Sequence, residues 1–375
     1  MIDSEAFHAH ARRIGIDFFA GVPDSLLKAF CGFLSVAERP ETHAIAADEG
    51  GAVALATGHY LATGRPALVY LQNSGQGHAM NPLLSICDRE VYGIPMVLLV
   101  GWRGEPGRPD EPQHRKQGRV TGALFDAMEI PCEILADDSP GACAQLERMA
   151  TRSRAEHQPV ALLVRKGTFA PFAPPRGREA PAWGREAAIE ALLERIPPAA
   201  VTVATTGHIA RELYAARTRR GEGHERDFLM IGGMGHASQA ALGLARARPD
   251  LPVFCFDGDG ASLMHLGGMA IVGQSRCANY RHVVLNNGAH GSVGGQPTVA
   301  LAIRLDRIAR ACGYTHAERV ASADALDAAF ARWVKVAGPT FLELLVSAGA
   351  RADLERPAGA PADLRAAFMG RLHGA

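Results

Sequence analysis

Asp259 stands between Gly258 and Gly260 at the end of an apolar run, and about 25 residues later a second apolar run stops on Asn286 and Asn287. Glycines flanking an acid let the backbone approach a ligand closely, and the helix entry that follows favours phosphate. Mg²⁺ takes one or two protein oxygens and completes its octahedron with phosphates and water. Asp259 and a carboxamide oxygen are suitable hard ligands for it. The spacing matches one helix plus the next parallel strand, which sets both strand ends side by side over one crevice. Gly, Asp and Asn are common turn residues, so each piece alone is weak. The combination is specific. His290 follows in "GAHGSVGGQ", a stretch almost free of large side chains.

Three other stretches carry chemistry. "MIGGMGHASQAALG" holds Gly233, Gly235 and Ser238 between a strand and a helix, close to a dinucleotide fingerprint with Ser in the third position. That pattern points to an NAD-dependent oxidoreductase but leaves the Asn pair unexplained. Glu49 enters a helix in "AADEGGAVALATGHY", where small residues let another helix or a ring come close. An acid in a first turn also suits the helix dipole. Asp24, in "GVPDS" at a strand end, has the position of a helix N-cap.

These residues need a scaffold that ends several strands at one edge. Short apolar runs alternate with helical patterns through both halves, which predicts α/β layers with mainly parallel sheets. The first-half runs are "DFFAGV", "THAIAA", "PALVYLQ", "PMVLLVGW", "CEIL" and "VALLVRKG", with helical spacing over 24–35, 49–63, 78–90 and 139–153. The second-half runs are "AVTVATT", "DFLMIGG", "PVFCFDGDG", "RHVVLNN" and "PTFLELLV", with a short helix near 361–372. Residues 166–186 carry four prolines and no periodicity. The expectation is two doubly wound α/β domains, 1–168 and 187–375, joined by a linker over 169–186.

A chain of 375 residues exceeds one typical core, in keeping with two domains. Its 47% apolar and 21% charged fractions are those of an ordinary soluble globular protein. Formal net charge is zero, so bulk electrostatics gives no case for a nucleic-acid or membrane partner. Any anion site must be local. The seven cysteines lie far apart with no C-x-x-C pair, which predicts reduced thiols in a cytoplasmic protein. The opening residues are polar and amphipathic, unlike a secretory signal, and no apolar run is long enough to span a membrane.

The G-D-G and N-N elements at this spacing resemble the cofactor motif of the thiamin-diphosphate-dependent decarboxylase and transketolase superfamily. More narrowly, "FFAGVPDSLLKAF", "YLQNSGQGHAMNPLLS", "GWRGEPGRPDEPQHRKQG", "TTGHIARELY", "GMGHASQAALGLA" and "NNGAHGSVGGQPT" resemble the phosphonopyruvate decarboxylase family, with the sulfopyruvate decarboxylases close by. The likeness runs over about 15–345 and includes the absence of a middle domain. It implies a pyrimidine-binding domain followed by a diphosphate-binding domain. It also implies Asp259, the Asn287 side chain and the Ala289 carbonyl as Mg²⁺ ligands, and Gly207, Gly258, Gly260 and Ala261 against thiamin diphosphate. Met234 would hold the cofactor bent, Glu49 would bond its aminopyrimidine, and Asn286 would shape the turn. The implied reaction turns a 2-oxo acid, 3-phosphonopyruvate, into phosphonoacetaldehyde and CO₂ in phosphonate biosynthesis. Its sites would lie between subunits of a homo-oligomer.

Such a reaction needs a proton donor. Asp24 matches the place where related 2-oxo acid decarboxylases hold a catalytic aspartate, and His290 and His114 are further candidates, since imidazole titrates near neutral pH. A phosphonate dianion needs cations, and guanidinium suits it. "GWRGEPGRPDEPQHRKQG" reads as a long basic loop, a lid from which Arg103 and His114 meet the substrate. One departure stands out: the family pattern has an acid at position 291, where this chain has Gly291.

Overall fold

The computed structural model describes residues 1–173 and 183–374, so residues 174–182 of the expected linker lie outside the described residues. The chain divides into two compact units, Met1–Gly177 and Arg178–Ala375, and each holds one six-stranded sheet. Among the described residues no helix is long and apolar enough to cross a membrane.

The first sheet comprises β1 (Phe19–Gly21), β2 (His43–Ile45), β3 (Ala67–Gln72), β4 (Met96–Gly101), β5 (Cys132–Ile134) and β6 (Pro159–Val164), in the order β2-β1-β3-β4-β6-β5. Every pairing is parallel. β4 and β6 are buried at every position because helices cover both faces. Alternate residues feed different cores, as the period of two requires. Val97 and Leu99 pack with Phe7, Phe30 and Leu146, while Met96, Leu98 and Val100 pack with Val53, Phe125 and Leu163. Burying one such side chain is worth about 1.5–3 kcal/mol. The helix Glu49–Thr63 starts where the Asp48 carboxylate accepts from Gly51 N at 2.8 Å and stops at Gly64 in the left-handed region.

The lid loop expected over 101–118 is shorter than its composition suggests. A helix, Pro112–Ala127, begins inside it and carries His114. Pro112 is well suited to a first helical turn, and His114, Gly118, Thr121 and Phe125 form the buried stripe at helical spacing. Charged residues between them hid that period. The expected linker is also anchored at its start: Phe169 is buried against Phe7 and Phe30, and Ala170 N donates to Ile2 O at 2.8 Å.

The second sheet comprises β7 (Val201–Ala204), β8 (Asp227–Leu229), β9 (Val253–Gly258), β10 (Tyr280–Asn286), β11 (His316–Val320) and β12 (Thr340–Leu345), in the order β11-β12-β10-β9-β7-β8. It is again parallel throughout. β11, "HAERV", is an edge strand missed in the sequence, because only Ala317 and Val320 are buried. The helix at Pro361–His373 lies where a short one was expected.

Candidate active site

In the second unit, β9 and β10 are parallel neighbours, with Leu285 opposite Gly258. Their carboxyl ends therefore bring Asp259 and the Asn pair to one edge. Asp259 is buried and opens the short helix Asp259–Met264. Its carboxylate accepts from the Thr298 hydroxyl and from the Asn287 backbone N–H. Burial pushes its pKa up to about 6, and among the described residues no cationic side chain pairs with it. A buried carboxylate without a counter-charge is costly, and a bound cation relieves that cost.

Asn286 has no exposed surface, and its side chain fixes the turn. Its Nδ2 donates to Glu343 Oε1 at 2.7 Å and its Oδ1 accepts from Gly288 N at 3.0 Å. Asn287 Oδ1 accepts from Ala289 N at 3.1 Å, and the Ala289 carbonyl accepts from Gly291 N at 2.9 Å. Each oxygen keeps a lone pair. Asp259, Asn287 and Ala289 thus present one charged and two neutral hard oxygens, a donor set suited to Mg²⁺ rather than to a softer metal.

The remaining residues of this edge converge on the same place. A Cβ added to Gly260 would lie 3.0 Å from the His290 ring and 3.3 Å from Met234 Cε. Ala261, the next residue of that helix, is buried behind it. Gly207, with φ of 100°, precedes the helix His208–Arg219, and a Cβ there would meet Ser292 Oγ at 3.1 Å. His290 does not titrate near neutral pH as expected; burial lowers it to about 4. At neutral pH it is a neutral imidazole that can donate or accept, not a cationic acid.

In the first unit, Glu49 is buried and its Oε2 lies 2.7 Å from His78 Nδ1. This carboxylate raises the His78 pKa. Gly75 makes room for it, because a Cβ there would lie 2.2 Å from Glu49 Oε1. Asp24 has no exposed surface, and it accepts from Gln72 Nε2 and from Leu26 N at 2.9 Å. It closes the turn before the helix Lys28–Ala37, whose N-cap is Leu27. Burial, partly offset by Gln72, raises the Asp24 pKa above the usual carboxylate range. Gly101 is required beside it, since a Cβ there would meet Asp24 Oδ2 at 2.0 Å.

Arg103 and His114 part company. Arg103 is clamped by Asp110, with Nε to Oδ2 at 2.9 Å and NH2 to Oδ1 at 2.5 Å, and its NH1 donates to Ser25 Oγ at 3.0 Å. It lines a cavity of about 510 Å³. His114 does not line that cavity. It is buried on its helix, and burial first, then Arg103, lowers its pKa. The two residues expected to meet the substrate from one lid therefore differ in setting: Arg103 lines the cavity, and His114 is buried on the helix Pro112–Ala127.

The dinucleotide reading also fails on topology. Gly233, Gly235 and Ser238 follow β8, but the acids at 257 and 259 end β9, and β7 lies between those strands. A dinucleotide site needs its acid on the adjoining strand.

Residues 4–129 match the family model "Thiamine pyrophosphate enzyme, N-terminal TPP binding domain", and residues 206–344 match "Thiamine pyrophosphate enzyme, C-terminal TPP binding domain". The phosphonopyruvate decarboxylase of Streptomyces hygroscopicus is 35% identical over 386 residues, spanning 98% of this chain and 93% of that protein. The chain belongs to the thiamin-diphosphate-dependent phosphonopyruvate decarboxylase family. A second member, from Streptomyces viridochromogenes, is 35% identical over 98% of this chain and 94% of its own. The sulfopyruvate decarboxylase of Methanosarcina acetivorans is 28% identical over 90% of this chain and 89% of its own.

For a member of this family, the structure adds partners that spacing alone did not reveal. His78 and Gln72 both lie in the quoted "YLQNSGQGHAMNPLLS", yet nothing in their types links them to Glu49 and Asp24. Thr298 joins Asp259 across 39 positions and Asp110 takes Arg103, contacts that only a folded loop creates.

Proposed function

We propose that this chain decarboxylates 3-phosphonopyruvate to phosphonoacetaldehyde and CO₂ with thiamin diphosphate and Mg²⁺, as a cytoplasmic step in phosphonate biosynthesis. Similarity to two phosphonopyruvate decarboxylases along nearly the whole chain supports the substrate. The observation that carries the chemistry is the buried, uncompensated Asp259 carboxylate beside the Asn287 and Ala289 oxygens. Asp259, the Asn287 side chain and the Ala289 carbonyl would hold Mg²⁺. Gly207, Gly258, Gly260, Ala261 and Met234 would hold the cofactor. When bound, thiamin diphosphate supplies the electron sink that lets CO₂ leave.

The chain's own residues then divide the work. Glu49, held by His78 and the space at Gly75, offers a carboxyl to the aminopyrimidine. Asp24, whose pKa burial raises, is the proposed proton donor to the reacting carbon. His290, neutral at working pH, orients the substrate by hydrogen bonding. We place each site between two copies of the chain, one giving Glu49 and Asp24 and the other giving Asp259 and Asn287. A dimer is then the minimum active form.

The test is CO₂ release from phosphonopyruvate by the purified chain, with and without added thiamin diphosphate and Mg²⁺. Release that needs both is expected; no release with both present overturns the reading. Sulfopyruvate in a parallel assay decides between the two acids by kcat/KM.

A further inference from the structure

The cavity at the carboxyl ends of β1, β4 and β6 has more to say than Arg103 alone. Its lining includes Lys28, Arg103, Arg108 and Lys166 against two carboxylates, Glu105 and Asp110. Both carboxylates are already paired. Asp110 holds Arg103, and Glu105 holds Arg108 at 3.1 Å and Arg165 at 2.9 Å. Lys28 and Lys166 are the remaining two lining side-chain cations, and among the described residues neither has an acidic partner. The lining side chains therefore carry an excess of two positive charges over their own acids.

We infer that this cavity is the seat of the tetrahedral dianion on the substrate, with Lys28 and Lys166 as its charge partners. The inference rests on the proposed decarboxylation for its substrate, and it names the residues that sense the phosphonate. Three features match a dianion rather than a single charge. Two unpaired ammonium groups balance two negative charges, and each is a compact, strongly hydrated point charge suited to phosphonate oxygen. Arg103 adds direction: three of its five N–H donors are used by Asp110 and Ser25, so two remain for the ligand, and Asp110 keeps the guanidinium from rotating. Lys28 also opens the helix Lys28–Ala37, whose N-cap Leu27 provides no side-chain hydrogen bond, so the first-turn N–H groups add to the same field.

The cavity is also placed for the chemistry. Ser25 and Leu26 line it, and both hydrogen-bond to buried Asp24. An anion anchored on the lysines would hold the rest of the substrate beside the proposed proton donor. Arg103 is then a donor held in direction by Asp110.

The test uses the full chain at pH 8, with methylphosphonate and methanesulfonate as probes titrated by calorimetry. Wild type should bind methylphosphonate more tightly than methanesulfonate. Lys28→Ala combined with Lys166→Ala should weaken methylphosphonate by about tenfold or more, and should raise KM for phosphonopyruvate about tenfold more than KM for pyruvate. Both lysines are exposed, so the double variant is expected to fold, and circular dichroism checks it. Equal methylphosphonate affinity in the two proteins, or methanesulfonate binding as tightly as methylphosphonate, overturns the inference. The binding arm needs no turnover. If wild type binds methylphosphonate through the lysines but releases no CO₂, the reaction is wrong and the anion seat stands.

Discussion

The carboxyl edges of the two sheets share a scaffold and differ in chemistry. At the edge of the second sheet, the proposed metal ligands are oxygens fixed by the backbone: Asp259 opens a helix, Asn287 is tied to Ala289 N, and Asn286 locks the turn through Glu343. Two imidazoles there, His208 and His290, are lowered to about 4, burial being the largest cause, so both are neutral near neutral pH. At the edge of the first sheet the groups are ionisable side chains held in place by hydrogen bonds and ion pairs. Glu49 is coupled to His78, Asp24 is buried beside Gln72, and a cationic cavity lies next to them. On the proposed reading, one edge would hold a metal and a diphosphate, and the other would move protons and read a substrate. A parallel sheet supplies the edge; the residues at the strand ends decide the task.

The largest effect expected from breaking this contrast is at Asp259. Asp259→Ala should lower CO₂ release by at least about a thousandfold and abolish Mg²⁺-dependent cofactor binding, measured by titration of the cofactor with and without the metal. A smaller loss separates proton handling from metal binding. Gly75→Ala forces Glu49 from its place, because the new Cβ would lie 2.2 Å from Oε1. It should lower kcat about ten- to a hundredfold while Mg²⁺-dependent cofactor binding stays within a few-fold. Loss of cofactor binding in that variant would erase the distinction between the edges.

Weaker effects sharpen the account of the neutral edge. His208 has a pKa of about 4, lowered first by burial and then by Arg185 and Arg211. The folded chain thus binds its proton later than the unfolded chain, whose imidazole titrates near 6.5. His208 therefore contributes no pH dependence above about 6.5, and stability is lost as pH falls from there toward 4. His208→Gln should flatten that decline, read as the difference in urea midpoints between pH 7 and pH 5. The smallest effect is at Gly291. A Cβ there would meet His208 Nδ1 at 3.6 Å, Asn287 Nδ2 at 3.7 Å and Arg185 NH1 at 3.9 Å, all ordinary contacts. Gly291→Glu should change stability at pH 7 by no more than about 0.5 kcal/mol and should raise the His208 pKa, followed by NMR titration.

The sequence made the sheets legible because parallel strands covered on both faces read as apolar runs, as β3, β4, β6, β9 and β10 all do. It failed at β11, where an edge strand buries two of five residues, and at the helix Pro112–Ala127, where charges between buried positions disguised the period. Asp259 and the Asn pair were legible as neighbours because their spacing is the length of one helix plus the next parallel strand. The pairings of Glu49 with His78 and Arg103 with Asp110 were not, because a hydrogen bond depends on side-chain direction rather than residue type. Lys28 and Lys166 stood out only once three strand ends enclosed a cavity between them.

The claim that the two edges act together, one from each of two copies, has a direct test. Glu49→Gln and Asp259→Ala, each inactive alone, should be co-expressed with different tags and the mixed oligomers purified. A mixed dimer would carry one site with both wild-type groups and one with neither. The account predicts that the purified mixed dimers regain about half of wild-type CO₂ release per chain. Mixed dimers that remain at the background of the two parents would contradict it.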